Sequence, residues 1–424
     1  MSMVRWLFRS IPLLQSVAIA SGLAYASALY LSNILSWPGN VSVREWWGSE
    51  LAIRYCAGFV RRGILGQLSW QITGWLGLRS SYALALSMVM AAAVLLVGLW
   101  LARQLIRCCG WRVGLLILAA PAGWPVLMVH GGATFRKDPL QILLGILLLW
   151  LWRERMKNHA PGQAPAAWLL LAGVEVFAVF NHEPFALLIL PTLAIAVHWQ
   201  SHSWRRALLA ISPGLLAFLL AIWRKGSALQ VDCLRADLQR LGLLAPAEMP
   251  GSSITELARS SPSFHTWDLG IAQLGWSVFH LLAMSLVVVL AYGLLLRLIP
   301  TFNTARPVFR EACSLWAIQL GLAMPLFVTT VDYGRWMTMT FCSGLAYLLL
   351  FRTPGQAAFV THVPRSGQSW PAVWLALLEL WLLPSHCCTY GVKQIIAFMP
   401  YAAASQWKGL LLDWLAVLPA SLPR

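Results

Sequence analysis

Four short polar segments are set into apolar sequence: GFVRRG (58–63), GGATFRKDP (131–139), NHEP (181–184) and VDYGRW (331–336). Charges in such settings are costly unless they are paired or watered. Arginine forks match phosphate oxygens and stabilise charge on a leaving group. Arg61, Arg62, Arg136, Lys137 and Arg335 are therefore the candidates for binding a group of concentrated negative charge, and Gly63 allows close backbone approach beside them. His182, Glu183, Asp138 and Asp332 are the candidates for proton transfer. A carboxylate or an imidazole can take the proton of a hydroxyl within its reach.

Each residue also has a plainer role open to it. Asp138 before Pro139 is a standard helix start, with Asp as cap and Pro in the first turn. Glu183 before Pro184 can cap in the same way, though Glu caps less well than Asp. His182 can bond a neighbouring carbonyl. Asp332 and Arg335 stand three apart and can form a local ion pair. Arg61 and Arg62 can anchor at an interface beside Trp46 and Trp47. Glu175 and Glu379 lie inside apolar runs, as buried packing residues or as a proton route.

The elements that must position these residues follow from composition. Of 424 residues, 59% are hydrophobic and 11% charged, where a soluble chain carries about a quarter charged. Apolar runs near the roughly 20 residues that cross hydrocarbon recur throughout. They fall at about 11–35, 81–102, 113–130, 139–152, 166–181, 184–198, 207–223, 271–296, 313–331, 336–351 and 370–384. The expected fold is all-α, a polytopic transmembrane helical bundle of about eleven spans (ten to twelve). An interrupted run at 395–418 is either a further span or an interfacial helix, so 385–424 is a C-terminal segment of its own. Residues 1–424 read as a single membrane domain with two longer outer loops, 36–80 and 224–270, the second a solvated cap. The 24 Trp and 9 Tyr suit aromatic belts.

The net charge of +16 has its explanation in the topology. With the N-terminus in the cytoplasm, the inner segments are almost purely basic, with Glu154 and Glu311 their only acids. This is the positive-inside pattern, and it removes any need for a nucleic-acid partner. All four polar segments then fall on the outer side. Residues 166–198 leave little chain for two crossings and a turn, so the NHEP turn is expected to sit recessed in an outward cavity. The spans after RKD, NHE and VDYGRW run inward, which turns their N-termini towards that cavity as anion sites.

The eight cysteines show no CxxC and no zinc spacing, and HCC at 386–388 is too sparse for a metal site. Cys56, Cys233, Cys387 and Cys388 fall outside, where an oxidising compartment can pair some of them. Asn40-Val41-Ser42 fits a glycosylation sequon. Neither a metal nor a cofactor is called for.

About eleven helices, a long first outer loop and an outward cavity rich in Arg with His and acids resemble bacterial membrane glycosyltransferases. These include the C-type glycosyltransferase fold and the O-antigen polymerases and ligases. The resemblance implies an inner-membrane enzyme that transfers sugar from a polyprenyl-phosphate-linked donor to a glycan acceptor on the periplasmic face. It further implies that Arg61, Arg62, Arg136 and Arg335 hold the carrier phosphate, while His182 or Glu183 activates the acceptor hydroxyl. C-type enzymes place an acid in the first outer loop, and here the candidates are Glu45 and Glu50, with no Asp in that loop. The rival expectation is a transporter or flippase for an anionic or lipid-linked solute, with Glu175 and Glu379 as a proton route. A non-catalytic scaffold ranks last, since it has little reason to sink charges into a pocket.

Overall fold

The structure is a computed structural model, and it describes residues 42–109, 114, 118, 136–157, 164–224, 226–258, 306–329 and 333–351. Among them every regular element is a helix. The helices α1 (Trp46–Ala52) and α2 (Ile64–Trp75), in the segment 36–80, lead through a single 3-10 turn to α3 (Tyr82–Cys109). Next come α4 (Asp138–Lys157), α5 (Ala164–Asn181), α6 (Phe185–Leu188), α7 (Leu190–Ser201) and α8 (Trp204–Trp223). The segment 224–270 supplies α9 (Ala228–Arg240) and α10 (Ser252–Thr255), and α11 (Arg306–Thr329) and α12 (Tyr333–Phe351) follow.

The all-α expectation holds for the described residues. Two segments, Arg79–Cys108 and Trp204–Trp223, are long and apolar enough to cross a membrane. Ala166–Asn181, Phe185–Ser201, Ser314–Leu326 and Thr338–Phe351 are shorter apolar helices. The expected runs at 11–35, 271–296 and 370–384, and the segment 385–424 with the Cys387–Cys388 pair, lie outside the described residues, as does most of 113–130. On α3 the exposed side chains include Met88, Val89, Leu95, Leu96 and Leu99, and on α8 they include Leu208, Leu209, Leu216, Leu219 and Ile222. Apolar exposure on these two helices suits a lipid surrounding.

Proline and polar side chains punctuate the bundle. Pro184 has no N–H, and it biases Glu183 away from helix, so α5 stops at Asn181. Pro191 in the first turn of α7 splits the next helix at Ile189, leaving α6 only four residues long. Between α7 and α8 the chain turns through His202 in the left-handed region (φ 51). Ser203 then caps α8 by accepting the Arg206 N–H at 3.3 Å. Pro213 interrupts the bonding ladder of α8, and Gly214 beyond it donates its N–H to Glu175 Oε2 at 3.0 Å. Glu175 is thus a buried bonding partner between α5 and α8, the plainer of its two expected roles. Glu379 lies outside the described residues.

The side chains form two cores. The larger runs through α3, α4, α5, α7, α8, α11 and α12, with α4 packed against α3, α5, α7 and α12. Between α7, α11 and α12, Gln319 Nε2 donates to Thr192 Oγ1 and to Ser343 Oγ (3.0 Å), which binds these helices through polar groups. The smaller core joins the segments 36–80 and 224–270, through Val43, Leu51, Ile53, Val60 and Leu65 on one side and Val231, Leu234, Leu238, Ile254 and Leu257 on the other. The Cys56–Cys233 disulfide, with Cα atoms 5.9 Å apart, crosslinks them. An Arg54–Asp237 ion pair and a 2.7 Å bond from Gln230 Nε2 to the Phe59 carbonyl add to the joint. The loops expected as two separate elaborations are therefore one helical cap. Apolar residues at helical spacing in both give each a face that is buried against the other and against Tyr82, Leu86 and Met90 at the start of α3.

Candidate functional site

The segment between α1 and α2 carries Arg61 and Arg62 at the corner of a turn, closed by the Gly63 N–H to the Val60 carbonyl at 3.3 Å. Arg62 has φ 65, a conformation usually left to glycine, and it holds this at a cost of about 1–2 kcal/mol. Three contacts fix it there. Its Nε donates to Glu183 Oε2 at 2.7 Å, its NH1 lies 3.9 Å from Glu50 Oε1, and its carbonyl accepts from Lys137 Nζ at 2.8 Å. Such over-determined strain collects at functional sites.

The start of α4 supplies Arg136, Lys137 and Asp138, all buried. Lys137 Nζ also reaches the Asn181 carbonyl at 3.3 Å, tying this helix start to the end of α5. Asp138 is the first residue of α4, with the Lys137 carbonyl accepting the Gln141 N–H at 3.0 Å. Its Oδ1 lies 3.6 Å from His182 Nε2. Asp138 thus combines the helix-start position with a place against the imidazole.

The NHEP turn supplies the rest. Glu183 lies between both arginines, with Arg61 Nε 3.6 Å from its Oε1. His182 Nδ1 is 3.8 Å from both Glu50 Oε1 and Glu183 Oε2. Four cations, Arg61, Arg62, Arg136 and Lys137, therefore face three carboxylates, Glu50, Asp138 and Glu183. The site is better balanced in charge than the arginine and lysine pattern alone implied. It opens on the arginine side: the Arg61 and Arg62 side chains are 35% and 24% exposed, while His182 is 5% and Asp138 0%.

Burial and neighbouring charge set the protonation states. Burial alone would raise the Glu183 carboxyl, but Arg62 and Arg61 beside it bring it down to about 2. Burial pushes His182 down to about 4, with Arg62 adding to the effect and Glu50 and Glu183 opposing it, so the imidazole is neutral at pH 7. Burial also lowers Lys137 to about 8, against the pull of Glu50 and Glu183. Glu50 would be raised by burial, yet the surrounding His182, Arg62, Lys137 and Arg136 hold it below the usual carboxylate range.

Three of the four polar segments thus converge on one buried cluster. Asp332 lies outside the described residues. Arg335 is placed on the first turn of α12, with its side chain outside them, and the side chains of Trp46 and Trp47 are outside them as well. Of the two first-loop acids, Glu50 joins the cluster and Glu45 is exposed ahead of α1. The expectation of an anion-binding helix N-terminus behind each segment is corrected at NHEP. There the chain offers only four-residue α6, because Pro191 breaks the helix, and so short a run sums to little dipole. Gln141 escaped the sequence reading altogether. It is an uncharged residue in an apolar run, and only its place one turn after Lys137 brings it to the cluster.

Among the described residues one group of metal-ligand types comes together, Cys56, Cys233 and Asp237. Its two sulfurs are joined in the disulfide, which leaves no thiolate to bind an ion. No protein-family model, no curated protein and no solved structure matches this chain.

Proposed function

We propose that the chain is a membrane-embedded glycosyltransferase or polysaccharide polymerase, with about eleven spans and its N-terminus in the cytoplasm. It transfers sugar from a polyprenyl-phosphate-linked donor to a glycan acceptor at the outer face of the bacterial inner membrane, in assembly of a surface polysaccharide. One observation carries this reading: segments far apart in the chain bring two half-open arginines against a neutral, buried histidine ringed by carboxylates. The disulfide between the outer loops adds support, since it suits an oxidising compartment on that side.

In this mechanism Arg61 and Arg62 hold the donor phosphate at the open side, with Arg136 and Lys137 behind them. His182 takes the proton of the acceptor hydroxyl, whose oxygen attacks the anomeric carbon. The bond from that carbon to the phosphate oxygen breaks, and its electron pair stays on the phosphate, where the arginines stabilise it. Glu183 is a poorer base than His182, because two arginines hold its carboxylate; it serves to place them. Glu50 and Asp138 orient the imidazole and stabilise its charged form. An arriving phosphate brings negative charge beside His182 and lifts its pKa towards the working range.

The test uses His182→Gln and Arg62→Ala in the native host, at unchanged protein level. Loss of the surface glycan in both is expected, and an unchanged glycan in both overturns the reading. The broken α6–α7 helix beside the site favours a second reading, a transporter or flippase for an anionic or lipid-linked solute, because interrupted helices mark many transporter sites. A transporter opens to both faces, so Arg61→Cys would then react with cytoplasmic reagents in some state. The enzyme reading expects reaction from the outer side only.

A further inference from the structure

Among the described residues, buried amides differ in how far they are partnered. Gln230 in the cap donates to the Phe59 carbonyl, and Gln319 inside the bundle donates through Nε2 to Thr192 and Ser343, with only its Oε1 unmatched. Gln141 and Asn181, at the edge of the charged cluster, are fully buried, yet neither the oxygen nor the nitrogen of either amide has a hydrogen-bond partner among the described residues. An unmatched buried polar group costs about 1–3 kcal/mol, so two complete amides left so are an expense that packing alone does not explain.

The backbone sets each of them beside a residue of the cluster. Gln141 follows Lys137 by one turn of α4, bonded N–H to carbonyl at 3.0 Å, so the two side chains share a helix face. Lys137 on that face reaches the Asn181 carbonyl at 3.3 Å, and Asn181 directly precedes His182. His182 also has both ring nitrogens without a hydrogen-bond partner among the described residues. Each amide offers two donors and an acceptor oxygen, and hydroxyl groups both donate and accept. A phosphate accepts only, and it has the cations beside it. The unmatched set therefore fits a neutral polyol.

We propose that the Gln141 and Asn181 carboxamides form a subsite for the hydroxyl groups of the donor sugar, next to the cations that take its phosphate. The subsite rests on the reading of the cluster as a lipid-phosphosugar site and names the residues that read the sugar itself. Replacing either amide with leucine removes the polar atoms at similar volume. It therefore leaves the fold and the phosphate grip intact while erasing recognition of the hydroxyls.

The experiment measures binding to the full-length protein in lipid nanodiscs. The probes are undecaprenyl phosphate and its glucosyl, galactosyl, mannosyl and arabinosyl esters. Wild type is expected to bind at least one sugar-bearing lipid about tenfold more tightly than the bare phosphate, the gain of one or two added hydrogen bonds. In Gln141→Leu and Asn181→Leu that preference disappears, while binding of undecaprenyl phosphate is unchanged. Gln141→Met and Asn181→Ala, which also lack a donor or acceptor amide, take their place if either leucine variant fails to fold, with the same expectation. Variants that keep the preference, or lose both lipids alike, overturn the subsite and leave the proposed function standing, as does a wild type that binds bare and glycosylated lipids equally. A wild type that binds none of the probes overturns the proposed function and the subsite with it.

Discussion

Arg62 carries opposing demands in one residue. Its guanidinium needs to meet Glu183, and the turn that brings it there forces a positive φ. Arg62→Ala loses the ion pair and keeps the strain, whereas Arg62→Gly loses the ion pair and relieves the strain. The glycine variant is therefore expected to be more stable than the alanine variant by about 1 kcal/mol, read as a higher thermal midpoint in detergent. Equal midpoints would mean that the backbone there is unstrained. His182 makes a separate prediction through pH. Its folded pKa of about 4 lies below its ordinary 6.5, so the unfolded chain binds the extra proton between those values. The stability that follows from a neutral His182 is complete above pH 6.5 and declines as pH falls towards 4. In a transfer assay, kcat/KM is expected to stay level down to about pH 5 and to fall near pH 4. A fall centred near 6.5 would show an imidazole with ordinary surroundings and would remove His182 from the role of buried base.

At the scale of elements, the molecule is held by polar groups placed where helices break. Pro213 opens α8, and Glu175 on α5 receives the Gly214 N–H beyond it. Side chains of α7 and α5 crowd that glycine, since a Cβ on Gly214 would meet Leu190 Cδ1 at 2.5 Å and Glu175 Oε2 at 3.2 Å. Glu175→Gln keeps an acceptor oxygen at the same reach and is expected to change stability little. Glu175→Leu leaves the Gly214 N–H unmatched and is expected to cost about 1–3 kcal/mol, seen as a lowered thermal midpoint. If the two variants behave alike, the bond does not hold α5 to α8. The same logic governs the cap, where Gly66 lets α2 lie against the preceding chain: a Cβ there would fall 2.0 Å from the Ile53 carbonyl oxygen.

The described residues divide into an apolar helical bundle and a crosslinked cap, and the proposed topology puts the cap outside. A membrane-impermeant thiol reagent applied to intact cells is expected to label Glu248→Cys, in the exposed part of the cap. Arg153→Cys, near the inner end of α4, is expected to label only after permeabilisation. The reverse pattern would put the cluster on the cytoplasmic face and end the proposal of an extracytoplasmic lipid donor.

Hydropathy placed the apolar helices among the described residues, but not the cap helices α1, α2, α9 and α10, which lie in stretches expected as loops. The expected runs at 81–102, 139–152, 166–181, 184–198, 207–223, 313–331 and 336–351 each fall on a helix or a helix pair of the structure. Many of these helices run on past the apolar run at the end assigned to the cytoplasm: α3 continues to Cys109 and α4 to Lys157, while α11 begins at Arg306. Hydropathy marks the limit of apolar surface, whereas backbone hydrogen bonding carries a helix on into polar sequence. Residue type alone selected Arg61, Arg62, Arg136, Lys137, Asp138, His182 and Glu183, because charge inside apolar sequence is improbable without a reason. Their partners were a matter for the tertiary structure. Glu50 lies more than a hundred residues from His182, and nothing in its neighbourhood separates it from exposed Glu45. Gln141 looks like an ordinary member of an apolar helix, and the union of the two outer loops depends on which distant faces meet. Local sequence dictates what each segment must bury, but which segments bury it together is decided only when the chain closes on itself.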